Sequence, residues 1–422
     1  MGRLWRIERS AASAAFRAAR EGQSLRDRAL AGMALRDLAV DETDPAPGDR
    51  VLLWLRPSRP AEVEGFIGRA GEPVRLWLDR PDDEAAVAGV LGRRRDGAVS
   101  VTVDGPLPDA YDDRPFHLDF DAPTATFDRG DTALRLFADA GARDPTGELR
   151  AVLFAERAPE FGSTPTWRPF DSALNDPQLK AISLALAARD VSLVFGPPGT
   201  GKTRTVVEIV RQALARGERV LVTAASNTAV DNLAERLVLA GVGVIRLGHP
   251  VRVSPAMQSC TLEARMEASG ELALAREWSR EANAIRRKVA TRSARGTLDR
   301  AERRALFSEA NRLSRDARRH LLGVQRAMVG AARVVACTAA GADAGLLGAE
   351  LFDRVVLDEA TQAPDPVALF ALARGRVVTL AGDPKQLPPT VVSQEAARLG
   401  LGTTFFERLA EREPQAVALL TV

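Results

Sequence analysis

Within VSLVFGPPGTGKTRT (191–205), Gly196, Gly199 and Gly201 are spaced so that backbone N–H groups can turn toward one point, and Lys202 and Thr203 follow directly. A lysine there can reach the β- and γ-phosphates of a nucleotide, and a threonine hydroxyl can hold Mg²⁺. Pro197, Pro198 and Thr200 fill out the turn and Arg204 comes next, and all of 196–204 is expected to line the nucleotide site. Such a glycine-rich loop, set between an apolar strand and a helix, suits a nucleoside triphosphate, because the helix N-terminus adds partial positive charge. Lysine occurs only at 180, 202, 288 and 385 in a chain otherwise rich in arginine. Its use at 202 fits a site that wants a compact point charge.

A second set of chemical groups lies in RVVLDEATQA (354–363), where an apolar strand delivers Asp358 and Glu359 at its carboxyl end. Ligands of open α/β sheets bind at that end. Asp358 is expected to hold the metal, and Glu359 to orient and deprotonate the attacking water. A third set, VVTLAGDPKQLPPTV (377–391), places Gln386 just past another buried strand, where it could meet the γ-phosphate or its water. Pro388 and Pro389 stiffen the exit. Upstream, Gln178 of LNDPQLKAI is either a surface amide or a bidentate partner of adenine, the latter making ATP the preferred nucleotide. Ser226 and Asn227, and then Thr338, stand at two further strand ends ahead of helical segments. They are either ordinary caps or ligands of a phosphate backbone.

The elements that must position these groups are legible in outline. Strands are expected at 191–195, 219–224, 242–247, 333–337, 354–358 and 376–381, separated by helices or loops, which describes an α/β fold with a doubly wound parallel sheet. Upstream, MALRDLAV, RVLLWL, EVEGFIG, VRLWL and AVSVTV read as short strands of a small barrel or sandwich, either structural or in contact with nucleic acid. Residues 281–320 carry twelve Arg/Lys against five Asp/Glu on a long helical pattern, as either a solvated arm or one lying beside a polyanion. AVALLTV (416–422) reads as a strand within which the chain stops, so the sequence is expected to be truncated.

Composition narrows the class without deciding it. The chain has 422 residues, 45% of them hydrophobic, a net charge of +2 and a mean hydropathy of −0.11. No apolar run is long enough for a membrane span, so no membrane partner is expected. The arginine-rich start mimics a transit peptide, but Glu8, Glu21 and the structured continuation favour a helix. Cys260 and Cys337 lie far apart without partner histidines, which argues against a disulfide framework or a zinc site and fits a reducing cytoplasm.

Taken in order, GPPGTGKT, TAASNTAVDNL, DEATQA and GDPKQLPPT resemble motifs I, Ia, II and III of superfamily 1 helicases. RLGHPVRV (246–253), LNDPQ and GLGTTFFERL (400–409) resemble the class B branch, in particular the immunoglobulin mu-binding and nonsense-mediated-decay helicase group. The resemblance implies a phosphate-loop NTPase with a RecA-like sheet, an N-terminal β-barrel-like domain and an inserted helical stalk. It implies a stalk helix at 1–32, a barrel at 33–105, a helical segment and linker at 106–165, motor-domain parts at 166–250 and 331–422, and a basic helical insertion at 251–330. ATP and Mg²⁺ are the implied cofactors and single-stranded DNA or RNA the implied partner, with movement in the 5′-to-3′ direction. By position, Ser226, Asn227 and Thr338 match residues near the nucleic-acid backbone. Gln178, Lys202, Thr203, Asp358, Glu359 and Gln386 match the nucleotide site. A QYRM-like motif and a second motor domain that supplies arginines are not in this sequence, so weak turnover is expected of this chain. The alternative is a module that uses ATP to grip nucleic acid without unwinding it.

Overall fold

The computed structural model describes residues 1–421 apart from 21, 47 and 109, and at 15, 19, 113, 290, 293, 294 and 344 it describes the backbone alone. The chain separates into two compact units: Ser13–Pro123 with Leu262–Met328, and Met1–Ala12 with Thr124–Thr261 and Val329–Val422. No helix among the described residues is long and apolar enough to cross a membrane.

The first unit contains a closed antiparallel barrel. Its strands are β1 (Ala34–Ala46), β2 (Arg50–Pro57), β3 (Pro73–Trp77), β4 (Val87–Arg95), β5 (Ala98–Asp104) and β6 (Phe116–Phe120), in the order β1-β2-β5-β4-β3-β6. Leu35, Leu53, Leu55, Leu76, Val101 and Phe116 fill the interior, because alternate residues of a strand face one side. Strand β1 bulges between Val40 and Glu42 and pairs with β2 on both sides of that bulge, while its first residues pair with β6, where Leu35 faces Leu118.

Three expectations are corrected here. The EVEGFIG run is not a strand: Ala61–Gly65 forms a short helix, started by Pro60 and directing only Val63 inward. Strand β4 was not anticipated. Strand β6 lies in 106–165, which was expected to be helical. Phe116 and Leu118 face the barrel core, and Asp119, buried on the opposite face of the strand, accepts Arg28 Nε at 2.9 Å and Trp77 Nε1 at 2.9 Å. The strand's five residues, FHLDF, do alternate, but a run that short next to the polar YDDRP segment gives only a weak strand signal. The amino-terminal region is likewise two helices, Gly2–Arg20 and Leu25–Leu30, the second started by a Ser24/Asp27 capping box.

The basic segment forms two long helices, Leu272–Ala294 and Arg300–Ala331. Ala282, Ala310 and Leu313 pack between them, and Arg286 bridges to Asn311 and Ser314. Asn283 ties the first helix to β1 by accepting Thr43 N–H at 3.1 Å and donating to Thr43 O at 3.0 Å. Several of the arginines are therefore structural, including Arg292, which pairs with Glu302, and Arg318, which pairs with Asp49.

The second unit is built on a seven-stranded parallel sheet. Strands β7 (Val191–Phe195), β8 (Val220–Ala224), β9 (Val244–Arg246), β10 (Val334–Thr338), β11 (Phe352–Asp358), β12 (Gly375–Gly382) and β13 (Val417–Leu419) lie in the order β13-β7-β12-β11-β8-β10-β9. The apolar runs of β7, β8, β10, β11 and β12 are buried on both faces, as parallel strands covered by helices must be, while β13 at the edge leaves Leu419 exposed. The six expected strands are present to within two residues at their ends. The run at 416–422 contributes only β13, and Val422 lies outside the described residues. Residues 250–260, mostly expected in the helical insertion, form 3-10 turns of this unit instead, with Met257 and Cys260 in its core. The first turns of the amino-terminal helix also belong here: Trp5 packs on Phe127 and donates to its carbonyl at 3.1 Å.

Candidate functional site

All the parallel strands point their carboxyl ends to one edge, and the sheet order sorts what stands there. The glycine-rich loop follows β7, Asp383 and Gln386 follow β12, and Asp358 ends β11. On the next two strands, Ser226 and Asn227 follow β8, and Thr338 ends β10. One side of the edge thus carries the groups expected to meet a triphosphate, and the other those expected near nucleic acid.

The loop is shaped by its glycines. Gly199 and Gly201 have φ of 85° and 81°, in the left-handed region that a side chain disfavours. Gly196 N–H donates to Gly382 O at 3.1 Å, fastening the start of the loop to the end of β12. Thr200 closes the turn on Pro197 O at 2.7 Å, while Pro197 and Pro198 complete the loop between β7 and the helix Lys202–Ala215. Thr203 is half-buried in the first turn of that helix. Arg204 is exposed and forked onto Asp171, with Nη2 2.7 Å from Oδ1.

Gln178 is buried and committed to this loop. Its Nε2 donates to Thr200 O at 3.0 Å, and its Oε1 accepts Asn175 N–H at 3.0 Å in a capping box that starts the helix Asp176–Ala187. A side chain on Gly201 would collide with the same amide. Gln178 therefore sits at the nucleotide loop as expected, but these bonds go to protein. The spacing Asn-x-x-Gln is itself a cap signature that the sequence displays.

Lys202 Nζ lies 2.9 Å from Glu359 Oε1. The ammonium is buried and makes no well-directed hydrogen bond. Glu359 reaches it from a left-handed backbone, φ 51°, a conformation costing a non-glycine residue about 1–2 kcal/mol. Asp358, one residue earlier, is buried, and burial pushes its carboxyl up to about 6; Glu359 adds to the rise and Lys202 opposes it. Gln386 donates to Asp383 Oδ2 at 3.2 Å, and the buried Asp383 also receives Lys385 N–H at 2.9 Å, so one carboxylate shapes the turn.

These groups fit a nucleotide triphosphate with a hard divalent cation. A buried ammonium without a directed hydrogen bond suits phosphate oxygens, and positive-φ glycines ahead of a helix leave N–H groups to face them. Asp358 and Thr203 supply oxygen donors of the type such a cation takes.

On the other side of the edge, Ser226 is exposed and caps the helix Asn227–Leu239 by accepting Ala229 N–H at 3.2 Å. Thr338 is half-buried and makes no side-chain cap bond to the turn that follows. Asn227 Oδ1 accepts Nη2 of Arg246 at 3.0 Å. Arg246 is wholly buried and also donates to Asp231 Oδ1 at 2.7 Å and to Leu247 O. Sequence reasoning singled out neither Arg246 nor Asp231, since their pairing is a tertiary contact.

A family model described as an AAA domain (AAA_11) matches residues 173–394. The rat (Rattus norvegicus) DNA-binding protein SMUBP-2 is 32% identical over 98% of this chain and 42% of its own length. The DNA polymerase alpha-associated DNA helicase A of Schizosaccharomyces pombe is 36% identical over 59% of this chain and 36% of its own. An uncharacterized ATP-dependent helicase of Methanocaldococcus jannaschii is 32% identical over 60% of this chain and 42% of its own. The chain thus spans less than half the length of these relatives. With the phosphate loop, the acidic strand end and the Gln386 turn on one sheet edge, the chain belongs to the AAA-domain family matched over 173–394, among the superfamily 1 helicases.

Proposed function

We propose that this chain is the motor part of an ATP-dependent helicase or translocase acting on single-stranded DNA or RNA. The observation that carries this reading is the 2.9 Å contact between Lys202 and Glu359, which joins the phosphate loop to the acidic strand end. Lys202 would meet the β- and γ-phosphates, while Thr203 and Asp358 would hold Mg²⁺. Glu359 would then take a proton from the attacking water, released from Lys202 as the ammonium turns to phosphate. Gln386, on the neighbouring strand end, would sense the γ-phosphate. Ser226, Asn227 and Thr338 would touch the nucleic-acid backbone, a role supported by relatives named for DNA binding and DNA helicase activity.

Turnover by the 422-residue chain alone is proposed to be weak. Arginines contributed to such a site can be worth about 10³–10⁵ in rate. The arginine nearest the loop in sequence, Arg204, is held by Asp171, and the family resemblance assigns such arginines to a second motor domain. That observation keeps the second reading in view, a module that grips nucleic acid according to its nucleotide state. The test is ATPase activity of the chain with and without single-stranded DNA and RNA. Nucleotide binding with slow, nucleic-acid-responsive turnover is expected; absence of nucleotide binding would overturn the assignment.

A further inference from the structure

Asn227 stands at the first position of a 13-residue helix, with Ser226 as its cap, on the edge proposed to meet the nucleic-acid backbone. A primary amide can present either its oxygen or its NH₂ group outward, and only the NH₂ group attracts a phosphate. What decides between them is the partner behind it. A guanidinium has donors and no acceptor, so Nη2 of Arg246, 3.0 Å from Asn227, can be met only by Oδ1. The Nδ2 donors are thereby turned away from Arg246.

Arg246 is in turn held rigidly. It has no exposed side-chain surface; Asp231 Oδ1 takes its Nε at 2.7 Å, and Leu247 O takes Nη1. Asp231 Oδ2 accepts Ser254 N–H at 2.7 Å, so both carboxylate oxygens are occupied and the carboxylate cannot swing away. Asp231 lies four residues after Asn227 on the same helix, which places both on the face that meets Arg246.

We infer that Arg246 and Asp231 are positioning residues that fix the polarity of the Asn227 amide, making it a dedicated donor to a nucleic-acid phosphate. The inference rests on the proposed reading of this edge and adds the groups that enforce it. Asn227→Asp is the discriminating variant. It is isosteric and keeps an oxygen against Arg246, but it turns a second oxygen, in place of the NH₂ group, toward the phosphate.

Binding of the full chain to a fluorescein-labelled oligothymidylate and an oligouridylate, read by fluorescence anisotropy, tests this. Asn227→Asp is expected to weaken both by about tenfold or more at low salt, as loss of a charge-assisted hydrogen bond implies. Its thermal midpoint should stay at the wild-type value. The ratio of wild-type to variant affinity should shrink as salt rises, because the added repulsion is screened; a purely structural defect would not follow salt in that way. Arg246→Lys, which keeps the charge but loses the fork, is expected to weaken binding as well as stability. Wild-type binding with Asn227→Asp unchanged would overturn this inference alone. No wild-type binding to either strand at low salt would overturn the nucleic-acid reading, and this inference with it.

Discussion

Lys202 and Glu359, far apart in the chain, meet at 2.9 Å across the carboxyl edge of the parallel sheet. The cation proposed to bind phosphate is paired here with the carboxylate proposed as the base. On that proposal phosphate and Glu359 would compete for one ammonium, and nucleotide binding would free the base. Glu359→Gln is therefore expected to bind a fluorescent ATP analogue at least as tightly as wild type, while turnover falls by roughly 10²–10⁴. Lys202→Ala should abolish binding. Lost binding in Glu359→Gln would contradict the competition.

Gln178 offers a choice between two roles that one pair of nucleotides separates. Its amide holds the Thr200 carbonyl and caps the Asp176–Ala187 helix. If it works as a latch on the loop, Gln178→Ala lowers ATP and GTP affinity together, and this is the expected result. Loss of ATP preference with overall binding preserved would instead assign the amide to the adenine ring.

Glu8 reaches from the amino-terminal helix to the strap beyond Gln386. Its buried carboxylate accepts Val392 N–H at 2.7 Å and Ser393 N–H at 2.8 Å. Glu8→Ala leaves two donors without a partner and should destabilise this unit by about 1–3 kcal/mol. A lower thermal midpoint, together with faster proteolysis between 387 and 393, would register it. An unchanged melting curve would show that water replaces the carboxylate without cost.

Glu263 is expected to make the stability of the barrel unit depend on pH. Burial pushes its carboxyl up from 4.5 to about 7, with Arg50 opposing. The folded chain therefore holds a proton that the unfolded chain releases. This contribution is fully present below the unfolded value and is lost as pH rises through about 7. Glu263→Gln should raise the thermal midpoint by roughly 2–4 °C well above neutrality and much less near about pH 5. An equal gain at both would locate the effect in packing.

The sequence by itself determined the local chemistry. Positive-φ glycines, a lysine opening a helix and acids at the end of an apolar strand are settled by a few neighbouring residues, so the phosphate loop, the acidic pair and the six expected strands could be read directly. The capping box that holds Gln178 was also legible as Asn-x-x-Gln, although that signal also fits a free amide. Only the tertiary structure decided what these groups face. Sheet order sets β12 beside β7 and β11 beside β12, which brings Glu359 to Lys202, and no local pattern encodes strand neighbours. The same holds for charges buried in pairs. Asp119 in β6 with Arg28, and Arg246 with Asp231, look like surface residues until a partner distant in sequence removes the cost of burying them. A buried charge is stable only where the fold supplies its counterpart, and that counterpart is fixed by packing rather than by spacing.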